Sequence, residues 1–151
     1  MLSQLKTALS IIESQHQEIL TLVESAGIEG MNWVPAYKDV NSIYALATHT
    51  ILSQLWWIKE NLHGQMIERD RPAEFTANAQ DLVSLKRTYK DVQKLTEEIL
   101  ESLKEDDLQK IREVRDKKVT IEWIVLHVID HTGLHLGHLQ LTKQLWEGQK
   151  Q

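Results

Sequence analysis

HVIDHTGLHLGHLQL, residues 127–141, sets His127, His131, His135 and His138 at spacings of four, four and three. At about 100° per residue, these spacings bring four imidazoles within roughly 80° of arc on one face of an α-helix. Ile121, Ile124, Val128 and Leu145 lie on or beside that stripe, and Glu122, Gln140, Lys143, Gln144 and Glu147 occupy the opposite face. The imidazoles are therefore expected to point into the protein. Thr120 is a suitable N-cap, so this helix is read as running from there to about residue 147.

Outward from this helix, the chain repeats one pattern. Leu2, Leu5, Leu9, Ile12, His16, Ile19 and Val23 alternate by three and four, which defines a first amphipathic helix ending at Ala26-Gly27. The stretch to Lys38, with Gly30, Trp33 and Pro35, reads as a connection. A second helix is expected from about Asp39 to His63, through Ile43, Leu46, Ile51, Leu55 and Ile58, with Gly64 as its C-terminal cap. The polar run GQMIERDRPAEFTAN, residues 64–78, makes a long crossing to a third helix marked by Leu82, Leu85, Tyr89, Val92, Thr96, Ile99 and Leu103. Residues 104–118, KEDDLQKIREVRDKK, read as a linker too charged to be buried, with a short extended piece around Leu108 to Val114.

Four helices with one apolar seam each satisfy those seams by packing around a common axis, so the expected fold is all-α, a four-helix bundle in a single domain over residues 1–151. Connections of roughly 13 to 16 residues are longer than a tight up-and-down bundle needs, which leaves room for one to run the length of the barrel. Val125, Ile129 and Leu136 form a second apolar line on the polar side of the last helix, and such a line suggests a homodimer.

Composition narrows the partners. The chain has no cysteine, so a metal would be held by His, Asp or Glu. A net charge of −5 gives no basic surface for a phosphate backbone, and nucleic acid is not an expected partner. No run of about 20 apolar residues and no signal-peptide core is seen, so the expectation is a cytoplasmic chain with no membrane partner.

The last helix can present two imidazoles to one ion, because residues four apart reach the same point. A third donor must come from elsewhere, and His49 in YALATHTILSQLWW, residues 44–57, is the candidate: Ala45 and Ser53, one turn away on either side, leave space beside it. The alternative for His49 is a core histidine bonded to a carbonyl. Three neutral imidazoles leave an ion its full charge and at least one open position, as catalytic sites do, and zinc, nickel and iron accept such a ligand set. His16, on the seam of the first helix, faces the same cavity or is a polar residue at the rim of the core. His63 is read as solvated, and Trp33, Trp56, Trp57, Trp123 and Trp146 as anchors of core and loops. A di-iron carboxylate site is excluded by placement: the Glu13/His16 and Glu60/His63 pairs lie on the first two helices and His63 is at a terminus.

HVIDHTGLHLGHLQL, together with a histidine in the middle of the second helix, resembles the DinB-like (YfiT-like) superfamily of metal-dependent four-helix-bundle proteins over nearly the whole chain. The resemblance implies one divalent metal on His49, His131 and His135. The preceding His127 and the following Gly137 match as well, whereas Leu134, Leu136 and His138 stand where the family often has His, Arg and Gln. His127 and His138 remain candidates for a catalytic proton carrier, a ligand-orienting group or, for His127, a packed core residue. The implied function is a metal-dependent enzyme acting on a small molecule, an S-transferase using a low-molecular-weight thiol such as bacillithiol or mycothiol. A metal-dependent hydrolase, or a non-catalytic metal-binding protein of the stress response, is the alternative.

Overall fold

In the computed structural model, residues 1–149 are described, and four long helices carry the architecture. They are α1 (Ser3–Asn32), α2 (Ile43–Leu55), α4 (Val83–Ser102) and α5 (Ile121–Gly148), with a five-residue helix, α3 (Arg71–Phe75), between the second and third. Both α4 and α5 pack against α1 and α2, which gives a four-helix bundle. Side chains set the helix starts: Ser42 accepts from the Ala45 N–H, Asp70 from the Ala73 N–H, and Thr120 from the Trp123 N–H.

Several boundaries differ from the sequence reading for local reasons. Gly27, at φ 68°, breaks α1 where the seam ends, and one more helical turn follows to Asn32. Gly30 in that turn lets the Trp146 indole approach so closely that a Cβ there would overlap it. Asp39 has φ 60°, a left-handed conformation that a right-handed helix does not admit, so α2 begins at Ile43 rather than at 39. Beyond Leu55, α2 continues as a π-helical segment, Trp56–Leu62, and Gly64 at φ 86° closes it as expected.

The charged linker contains a hairpin. Strands β1 (Ile111–Val114) and β2 (Lys117–Thr120) pair antiparallel, with Ile111 opposite Thr120 and Val114 opposite Lys117. Val114 is buried despite its charged neighbours, because the alternation of a strand turns alternate residues to opposite faces, and Leu108, in the turn before β1, is buried in the core beside Leu100 and Ile121. The Arg112 guanidinium donates from Nε to the Leu62 carbonyl and ties the hairpin to the end of the π-helical segment.

Apolar residues form two core clusters, one around Leu9, Ile12, Ile58, Leu100 and Ile124, the other around Ile19, Val23, Ile51, Tyr89 and Leu139. Between them in sequence, each long helix contributes a buried polar residue: His16, Gln54, Thr96 and Thr132. His16 Nε2–H donates to Gln54 Oε1 at 2.8 Å, and Gln54 Nε2 donates to Thr96 Oγ1 at 3.0 Å. His16 is thus a core residue bonded within the bundle, neither at the rim nor in a cavity.

Burial holds the His16 imidazole down at about 4 from its ordinary 6.5, against the opposing effect of the Gln54 bond. The unfolded chain takes up a proton near pH 6.5, and the fold does not until about pH 4, so the stability contributed by neutral His16 is complete above 6.5 and is lost as pH falls towards 4. The full loss is about 3 kcal/mol. Urea unfolding at pH 7 and pH 5 should therefore show a smaller acid-induced loss in His16→Gln than in the unsubstituted protein. An equal loss in both would assign the acid sensitivity to other groups.

The buried face of α5 is rotated by about 80° from the histidine stripe. Its centre runs through Ile121, Val128, Thr132 and Leu139. Val125 and Leu136 are consequently buried and Ile129 packs against the core, so the line expected to meet a second subunit is part of this chain's own interior. Large apolar side chains that α5 does expose include Leu126, Leu134 and Leu141. Among the described residues, no helix is long and apolar enough to cross a membrane.

Candidate metal centre

The same rotation places the histidine stripe at the margin of the core. His127, His131 and His135 are half-buried and His138 is exposed, so the expectation that all four point inward holds for none of them completely. Across from them, His49 on α2 is 4 % exposed. The His49 ring centroid lies 5.3 Å from that of His131 and 5.0 Å from that of His135, and the last two are 4.5 Å apart. One nitrogen from each of the three rings falls within 4.8 Å of the others, a set that could hold a metal ion.

Their protonation suits ligation. Burial, then the neighbouring His135 and His49 rings, hold His131 down to about 3. Burial, then His49 and His138, hold His135 to about 4. His49 is also lowered, chiefly by burial, with the Glu74 carboxylate acting in the opposite direction. All three imidazoles are neutral at pH 7 and offer a lone pair without first losing a proton.

Glu74 fixes one of them. Its Oε2 accepts from His49 Nδ1–H at 2.7 Å, which leaves His49 Nε2 as the free nitrogen. Because His49 is neutral, this contact is a hydrogen bond to a carboxylate rather than an ion pair. The ion pair is with Arg69, whose Nε and Nη2 donate to the two carboxylate oxygens at 2.6 and 2.9 Å. Phe75 also packs against His49, its ring centroid 4.4 Å from that of the imidazole. Arg69, Glu74 and Phe75 lie in or beside α3, within the stretch read as a polar crossing. Asp70 followed by Pro72 does signal a helix start there. Nothing in the sequence signals that Glu74 is buried.

His127 and His138 stand outside the convergent set. His127 stacks on Trp123 at 4.8 Å with rings nearly parallel and meets Trp57 edge-on. Burial lowers its pKa, which keeps it neutral. His138 Nδ1 lies 3.5 Å from His135 Nδ1, at the outer limit of a hydrogen bond.

Two cavities flank the three rings. One, of about 300 Å³, is mainly apolar, with Tyr37, Leu46, Phe75, Leu141 and Leu145 around His135 and His138. The other, of about 140 Å³, opens beside His49, His127 and His131. Trp56 and Trp57, read as anchors from sequence, line this second cavity.

A family model described as the DinB superfamily matches residues 11–139. Two solved structures have the same fold: a conserved protein from Enterococcus faecalis, with TM-score 0.82 and 16% identity over 98% of this chain and 99% of that one, and a DinB-like protein from Bacillus subtilis, with TM-score 0.69 and 20% identity over 93% and 92%. No curated protein matches the chain.

Proposed function

We propose, because the chain belongs to the DinB superfamily and brings three neutral imidazoles together beside an apolar cavity, that it is a divalent-metal-dependent enzyme transferring a low-molecular-weight thiol to an apolar electrophile. The observation that carries this reading is the convergence of His49, His131 and His135. They are the proposed ligands, and zinc, nickel and iron are the metals this all-nitrogen set suits. When bound, such an ion supplies a Lewis acid that keeps a thiol deprotonated at neutral pH.

The chain's own residues do the rest. Glu74 holds the His49 ring in one tautomer and orientation. Tyr37, Phe75 and Leu141 provide apolar surface for the electrophile next to His135. His138, exposed beside His135, carries the thiol's proton to solvent. In the transfer, a carbon–sulfur bond forms as the bond to the leaving group breaks; for an aryl chloride, chloride departs with the bonding pair.

Metal-free protein supplied with zinc, nickel or iron(II) should accelerate conjugation of a cysteine-containing thiol to a chlorodinitrobenzene, and His131→Ala should abolish the acceleration. Absence of metal-dependent conjugation with any small cellular thiol would remove the transferase reading. Metal-dependent cleavage of esters or amides in the same preparations would replace it with a hydrolase.

A further inference from the structure

The smaller cavity is strongly basic in a chain whose net charge is −5. Arg69 and Arg71, just before and at the start of α3, and Arg115, in the hairpin turn, converge on it from two segments, beside His49, His127 and His131, and no carboxylate among the described residues lines it. Of the three guanidiniums, only Arg69 is neutralised, by Glu74. Among the described residues, Arg71 and Arg115 have no carboxylate partner within salt-bridge distance.

These arginines are held, not merely nearby. The Arg115 guanidinium lies 5.0 Å and that of Arg69 5.5 Å from the centre of the Trp56 ring. That indole is itself fixed by its Nε1–H bond to Glu60, whose other oxygen accepts from the Ile67 N–H. Arg71 lies 5.1 Å from the centre of the Phe75 ring, against the residue that packs on His49. Arg115 is the first turn residue of the hairpin and has φ 57°, a position that such turns usually give to glycine. This exposed arginine carries a conformational cost above a hairpin anchored by Arg112, and its unusual backbone is the reason to ask what the guanidinium does there.

We infer that Arg71 and Arg115, backed by Trp56, form an anion subsite that takes a carboxylate or phosphate group of the thiol substrate. Two unpaired guanidiniums near a site that would also hold a dication repel one another and the ion until an anion enters between them. Guanidinium is the side chain best matched to either oxyanion, through paired N–H donors. A volume of about 140 Å³ admits an anionic group but not a whole substrate, so the remainder reaches past His131 towards the three rings. The apolar cavity on the far side is left to the electrophile. The assignment of substrate class rests on the transferase reading, whereas the anion subsite itself does not.

The test is calorimetric titration of metal-free protein with inorganic phosphate and, separately, with succinate, followed by zinc titration of the same proteins. Binding of either anion is expected, with Arg71→Gln and Arg115→Gln each weakening it roughly tenfold while zinc affinity is kept or slightly raised, because one repelling charge is gone. Tighter phosphate binding would identify a phosphorylated substrate, and tighter succinate binding a carboxylated one. Anion affinity that is absent, or identical in both variants and the unsubstituted protein, would overturn the subsite. Anion binding without any zinc binding would keep the subsite and remove the metal-dependent reading, so the two failures are distinct.

Discussion

Zinc added to metal-free protein raises the midpoint of thermal unfolding by roughly 10 °C, and His131→Ala eliminates the rise while His127→Ala leaves it intact. The size follows from linkage. A ligand present at about a thousandfold its dissociation constant stabilises the folded state by about 4 kcal/mol, and a chain of this length gains roughly 2 to 4 °C per kcal/mol. Tight binding is expected because the bundle has already brought the three rings together and burial keeps them neutral at pH 7. Little ordering and no proton release then oppose ligation. The contrast between two histidines of one stripe is the informative part: they are four residues apart, but only His131 faces both His49 and His135. Scanning calorimetry with and without zinc, nickel and iron(II) checks it. A midpoint indifferent to all three metals, or an equal loss in the two variants, would dismiss the three-histidine centre.

The pairing of His49 with the α5 stripe was legible because it depends on features that sequence records directly. Spacings of four, four and three fix a helical face, and small residues on both sides of a mid-helix histidine leave room in front of it. The Thr120 cap was legible for the same reason, as its side chain acts on backbone two or three residues away, whereas the Ser42 and Asp70 caps went unread. The phase of α5 was not. Its apolar residues cover most of its circumference, so periodicity alone does not identify their centre, and neighbouring helices settled it about 80° from the imidazoles. That rotation made Val125 and Leu136 core and left His138 exposed. The extended piece expected around Leu108 to Val114 contains β1, but its partner β2 was hidden, because the four-residue strands carry Arg, Glu and Lys and are joined by a turn without glycine. Glu74 was hidden because its burial is a tertiary fact: a five-residue helix in a charged segment lays one carboxylate against a histidine 25 residues earlier.

Glu74 also gives the second large effect. Its side chain is 1% exposed and accepts from both Arg69 and His49, so Glu74→Ala leaves a mostly buried guanidinium and an imidazole N–H without their acceptor. Stripping one partner from such a pair costs about 3 kcal/mol or more, visible as a lower urea midpoint. Replacing both partners, as in Arg69→Met/Glu74→Leu, removes the orphaned charge and should recover much of that loss. Metal affinity should not recover with it. The His49 ring would still lack the acceptor that selects its Nδ1–H tautomer, and losing such a partner typically weakens metal binding by about 10- to 100-fold. Stability and ligation are thus separable in one pair of proteins, and zinc titration of the double variant is the decisive measurement. Zinc affinity equal to that of the unsubstituted protein would mean that packing against Phe75 orients His49 without help. Equal instability of the single and double variants would mean that the carboxylate, not the orphaned guanidinium, carries the stability.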